Sequence, residues 1–200
     1  MPFLLSTTIN IIAAVTIITI KESTKALVSS SLGDPLPKRD KRVTLNPLRH
    51  IEIIGLILLL ATGLGWGKPV ETSALYYKNR KRDTLLTNIA PFIILLVIGF
   101  ASYYVLHRFN LNELTFMFLQ QFGIISVRLA FFNLIPIPPL DGAKILYVFL
   151  KPNQVVNILS KEKMMLIILV LIIFILPNNP ISRLINQLTL NFLSLTILMP

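Results

Sequence analysis

The sequence predicts an all-α polytopic membrane protein with about four transmembrane helices and a re-entrant segment. Three observations carry that expectation. Hydrophobic residues make up 54% of the 200 residues and charged ones only 14%, an excess of apolar surface that a soluble domain of this size has no means to cover. The apolar residues fall into continuous runs on the scale of a bilayer. The basic residues lie in the loops beside those runs, as the positive-inside rule requires. The net charge of +10 is therefore read as topogenic. No nucleic-acid partner is expected, because no recognition motif or aromatic interleaving accompanies the charge. The chain has no cysteine, which excludes a disulfide framework and a thiolate metal site.

Taken in order, Phe3 to Ile20 is 18 residues without a charge, about 27 Å if helical and close to one hydrocarbon core. It lacks a basic leader and a small-residue cleavage site, so a retained span is expected rather than a removable signal. A basic loop follows from Lys21 to His50. Ile51 to Gly67 is apolar but short, and contains Glu52 and four glycines. A second basic stretch runs from Lys68 to Arg82. Thr84 to Leu106 forms a full span around Pro91. Leu114 to Pro139 forms another, carrying Arg128, for which Glu52 is the expected buried partner. Ala143 to Leu150 continues it, Lys151 to Lys163 is a polar break, and Met164 to Leu176 is a short final span. Residues 1–177 are thus expected to form the membrane domain. Residues 178–200 form an apolar tail at the interface or in the membrane.

Charge fixes the expected topology. The loops flanking Ile51 to Gly67 hold seven and five Lys/Arg residues, so both prefer the cytoplasm. A segment that dips in and returns satisfies both, provided its irregular backbone is packed on protein. The N-terminus is then external, and the basic loops face the cytoplasm of what is expected to be a bacterial cytoplasmic membrane.

Three ordered landmarks carry a family resemblance. They are Gly33-Asp34-Pro35 followed by Thr44-Leu45-Asn46-Pro47-Leu48 and His50; Gly65-Trp66-Gly67-Lys68-Pro69-Val70; and Asn133-Leu134-Ile135-Pro136-Ile137-Pro138-Pro139-Leu140-Asp141-Gly142. Over residues 10–150 the chain resembles the site-2 protease family of intramembrane zinc metalloproteases, in its small bacterial-type branch. The resemblance implies that Asp141 stands at a zinc-ligand position and that Asn133, Pro136 and Pro138 border a substrate cleft. It also implies two histidine ligands in a His-Glu-x-x-His helix just before Gly33. Such imidazoles at i and i+4 share one helical face, and the intervening Glu acts as general base.

Here that helix reads Lys21-Glu22-Ser23-Thr24-Lys25. Glu22 keeps the general-base position, while both ligand positions are lysine. A protonated lysine has no lone pair to give a metal. The two histidines of the chain, His50 and His107, do not form such a pair; a structural or interfacial role is expected for each. No cofactor is therefore expected, and Glu22 is expected to be catalytically idle. Two readings of the lysines stand side by side. In one, Lys21 and Lys25 pair with Asp141 and replace the metal as a structural clasp. In the other they are topogenic charges among lipid headgroups, with Lys144 as the local partner of Asp141 or Asp141 facing a wet cavity. The function expected is that of a pseudoprotease that binds transmembrane segments or partner membrane proteins within the lipid bilayer. The alternative is an active intramembrane metalloprotease with atypical ligands.

Overall fold

The computed structural model describes residues 2–175 and 179–197. Among them there is helix, turn and coil and no strand. Helix α1 spans Pro2–Ser31, eleven residues beyond the Ile20 at which the first apolar run ends. Nothing in Lys21–Ser31 breaks a helix; the first breakers are Gly33, at φ +107°, and Pro35. The stretch expected to open a loop is thus the second half of α1, and its charges are carried into the body of the protein.

A one-turn helix α2 (Leu36–Arg39) and a 3-10 turn at Pro47–Arg49 follow. Asp34 organises this region. Its carboxylate accepts from the Ser29 hydroxyl at 2.9 Å, from Leu36 N at 3.0 Å and from Ser73 N at 2.8 Å. That one side chain ties the end of α1 to two loops. Asn46 shapes the next turn by accepting from Leu48 N at 3.1 Å.

Helix α3 (Ile53–Thr62) has ten residues, about 15 Å and half a bilayer core. The Glu52 carboxylate caps it, accepting from Ile54 N at 3.2 Å and Gly55 N at 2.6 Å. Glu52 is therefore occupied at a helix start, and it forms no ion pair with Arg128. The Arg128 Nε is buried without a hydrogen-bond partner among the described residues, and the guanidinium lies against Gly63. Gly63, at φ +77°, ends α3 in the left-handed conformation that favours glycine. The chain then turns back along the helix. A Cβ at Gly55 would run into the Trp66 carbonyl, and one at Gly65 into Gly55; two glycines facing each other let the backbones touch. The return ends where it began, with Lys68 N donating to His50 O at 2.8 Å. Trp66, expected at the membrane interface, is instead buried against Leu58, Leu64 and Phe132.

Helices α4 (Arg80–Arg108) and α5 (Glu113–Asn133) form an antiparallel hairpin, capped by Asn79 and Asn112 respectively. Gly99 meets Val127, Gly123 meets Tyr103, and the Ser126 hydroxyl donates to Leu95 O at 2.6 Å across the pair. Interhelical bonds of this kind contribute about 0.6 kcal/mol in a membrane. Helix α1 packs on the hairpin through Ala13, Ala14, Ile17 and Ile18, against Leu95, Ile125, Leu129 and Ala130. Pro91 sits inside α4 and is itself buried.

Helix α6 (Asp141–Tyr147), α7 (Pro152–Ser160), α8 (Glu162–Ile175) and α9 (Pro180–Ser194) complete the described chain. Helices α1, α4 and α5 are each long and apolar enough to cross a membrane. Helix α8 has only 14 residues, too few to cross alone. Together with α9, from which it is bent by 74°, it forms a broken span or a second re-entrant element. Helix α9 packs on the hairpin, its Phe192 ring set edge-on to Phe131 and Phe100. The expected boundary between residues 177 and 178 lies outside the described residues.

Candidate functional site

Lys21 and Lys25, four apart on α1, face the same way, as helical geometry dictates. Asp141 reaches them from the other side. Helix α5 stops at Asn133 because the proline-rich stretch that follows has too few backbone donors to continue it. Residues 134–140 fold into tight turns, with Ile135 N donating to Phe132 O at 3.2 Å and Leu140 N to Ile137 O at 2.9 Å. The Pro138–Pro139 peptide is cis. Helix α6 then restarts with Asp141 at its first position. Gly142 permits the approach: a Cβ there would collide with the Leu134 carbonyl and come within 2.6 Å of the Ile135 oxygen.

The result is a closed ionic cluster. Lys21 Nζ lies 2.8 Å from Asp141 Oδ2 and 2.7 Å from Glu22 Oε1. Lys25 Nζ pairs with Asp141 Oδ1. The four residues are 3%, 1%, 1% and 5% exposed for Lys21, Glu22, Lys25 and Asp141. Two ammonium groups and two carboxylates sum to zero, the condition under which charges are tolerated away from water. Glu22 Oε2 is buried with no hydrogen-bond partner among the described residues. Gly67 of the re-entrant return packs on this acid; a Cβ there would be 2.9 Å from Glu22 Cγ. The headgroup placement considered for the two lysines does not occur. Nor is Lys144 the partner of Asp141: its Nζ donates to Val70 O at 3.1 Å.

The cleft candidates are dispersed. Asn133 is buried, its Nδ2 donating to Leu129 O at 2.8 Å and reaching Gly65 O at 3.5 Å. It borders a gap between Lys21, Asn88, Phe92 and Asp141 of about 10 Å³, at the lower limit for one water molecule. Pro138 borders a separate cavity of about 180 Å³ with Val70, Glu71 and Leu140. Pro136 is exposed. Among the described residues no group of three or more His, Cys, Asp or Glu is arranged to hold a metal.

Sequence reasoning passed over Arg42, which closes the site from the loop side. Its guanidinium donates to Pro69 O at 3.1 Å and to Lys68 O at 2.5 Å, clamping the return of the re-entrant segment. Nothing in the local sequence sets it apart from its basic neighbours, since only the tertiary approach of residues 68–69 gives it acceptors. His50 is fully buried beside it, its Nε2 within 2.7 Å of Thr44 O. Burial and the nearby Arg42 charge hold this imidazole below its ordinary pKa.

Comparison with known proteins agrees with this architecture. The pattern of peptidase family M50, the site-2 protease family, matches residues 6–176. The chain is also 30% identical over 176 residues to the Bacillus subtilis (strain 168) protein named "Putative zinc metalloprotease YwhC", a match covering 84% of this chain and 80% of that one. No solved structure matches it. The chain belongs to peptidase family M50.

Proposed function

We propose that this protein is a site-2-protease-like pseudoenzyme whose zinc site has been lost. It binds transmembrane segments or partner membrane proteins without cutting them. One observation carries the reading: both oxygens of Asp141 are engaged by the lysines at the family's two histidine positions. Those residues do not fit a zinc ion. An ammonium nitrogen has no lone pair to give a metal. Two protonated lysines bring the same double positive charge as a zinc ion would, so the acids remain neutralised and the broken helix at Asp141 stays anchored to α1. Glu22 keeps the general-base position but serves as a second counter-ion. The name of the Bacillus relative describes that protein, and its metal requires ligands that the Lys21-Glu22-x-x-Lys25 stretch does not supply.

The protein is integral to a membrane, as its apolar helices and family require. We place it in a bacterial cytoplasmic membrane, with the loops around α2 and before α4 facing the cytoplasm. Its partners in this reading are the lipid bilayer and a transmembrane segment. The latter is met by the scaffold around the re-entrant α3, whose Ile53, Ile54 and Ile57 are exposed.

Metal analysis tests the reading. Purified protein is expected to hold far less than one zinc per chain, and a chelator to leave its thermal midpoint unchanged. Lys21→His combined with Lys25→His is expected to gain about one zinc per chain, since Asp141 already stands opposite. Full zinc occupancy of the wild type would overturn the proposal. So would cleavage of a transmembrane substrate that disappears in Glu22→Gln, the outcome required by an active protease with atypical ligands.

A further inference from the structure

A further cavity, of about 320 Å³ and with largely apolar walls, opens where the loop before α4 meets α6; Tyr77, Arg80, Lys81, Asn88, Lys144 and Tyr147 are among its lining residues. Its volume falls at the small end of ligand sites, which run from about 300 to 1,000 Å³. Three of its polar groups have bonding capacity that the protein leaves unused. The Tyr147 hydroxyl is buried with no partner among the described residues. Asn88 is 1% exposed; its Nδ2 donates to Thr84 O at 2.7 Å, while its Oδ1 is buried with no partner among the described residues. Lys144 Nζ spends one proton on Val70 O and forms no ion pair among the described residues. Buried polar atoms are nearly always satisfied in native proteins, so two orphans and a spare ammonium around one cavity define the ligand they lack.

Its chemistry follows from the donors. Arg80 and Lys81 are cationic, burial holds Lys144 down to about 7 so that an anion beside it would favour its charged form, Tyr147 offers a hydroxyl proton, and no residue lining this cavity is acidic. That combination selects an anion and excludes a metal ion. The Asn88 carbonyl oxygen is an acceptor and calls for a hydroxyl on the same ligand. Position adds a constraint. Arg80 and Lys81 begin a membrane-spanning helix, at the depth where basic pockets between helices meet lipid headgroups.

We propose that this cavity binds an anionic phosphate ester bearing a hydroxyl group, with the phosphate on Lys144 and Tyr147 and the hydroxyl on Asn88. An acidic phospholipid presents this group as its headgroup; glycerol phosphate presents it in solution. The inference does not require the Asp141 cluster to be catalytic, because none of Lys21, Lys25 and Asp141 lines this cavity.

The test uses the full chain in nanodiscs of mixed phosphatidylglycerol and phosphatidylcholine, with retained lipid counted by native mass spectrometry. A parallel arm titrates sn-glycerol 3-phosphate into protein in phosphatidylcholine discs. Selective retention of phosphatidylglycerol, weakened about tenfold by Lys144→Gln and by Tyr147→Phe, supports the site and assigns it to lipid. Saturable binding of glycerol phosphate with the same sensitivity supports it with a soluble source. Tyr147→Phe removes a hydroxyl with no partner among the described residues, so it is expected to fold as the wild type and decides alone if Lys144→Gln does not fold. Absence of selective binding in both arms overturns the proposal, as does binding that survives the substitutions.

Discussion

Asp141 sits between two ammonium groups, and its neighbours show how strongly a buried charge depends on its counter-charge. Removing one member leaves a net charge away from water, which costs about 3–5 kcal/mol; removing a matched pair costs far less. Lys25→Met and Asp141→Asn are each expected to lower stability by that amount in detergent, while the double variant, which keeps the Lys21–Glu22 pair, recovers most of it. A double variant as damaged as the sum of the singles would show that the pair is not coupled. His50 gives the residue-scale pH effect. Its pKa is held below the ordinary value of 6.5, so the unfolded chain takes up a proton that the folded one refuses. The stability tied to neutral His50 is complete above pH 6.5 and is lost as pH falls through the depressed folded value. The thermal midpoint is expected to drop between pH 7.5 and 5.5 by more in the wild type than in His50→Gln. An equal drop would assign the effect to other groups.

At the scale of elements, short connections do the positioning. The proline turn after α5 and the glycine-lined return after α3 bring Asp141 and Gly67 to the same face of α1. Both depend on backbone contacts that a side chain would obstruct. Gly142→Ala sets a methyl group against two fixed carbonyls, and is expected to cost about 1–3 kcal/mol, seen as a lower unfolding midpoint; an unchanged midpoint would mean that α6 is free to shift. The existence of these elements was legible in the sequence: basic loops on both sides of a short apolar run announced a re-entrant segment, and the prolines announced a break before Asp141. The length of α1 was not legible. Charge at Lys21 looked like the end of a span, whereas the helix runs on to Ser31, its two lysines paired with Asp141, more than a hundred positions further along the chain.

The whole molecule is a bundle of α1, α4 and α5 that holds a half-membrane hairpin against its side. The bond from Lys68 N to His50 O returns the re-entrant segment to the side on which it began. The two basic loops are therefore expected to share one face of the membrane, with the α4–α5 connection on the other. The native chain has no cysteine, so single cysteines report topology cleanly. Leu48→Cys and Leu75→Cys, both exposed positions, are expected to react with an impermeant thiol reagent from the same side of sealed vesicles. Phe109→Cys is expected to react from the opposite side. Labelling of Leu48→Cys and Leu75→Cys from opposite faces would make α3 a full crossing.

By itself the sequence determined the class, the re-entrant segment and the family likeness, because apolar run length, loop charge and ordered proline and glycine landmarks are written along the chain. It also displayed the replacement of two histidines by Lys21 and Lys25, while leaving open whether those charges faced lipid headgroups or Asp141. Only the tertiary structure decided that. The pairing joins residues more than a hundred positions apart, and the electrostatic neutrality that permits their burial exists only once α1 and α6 meet.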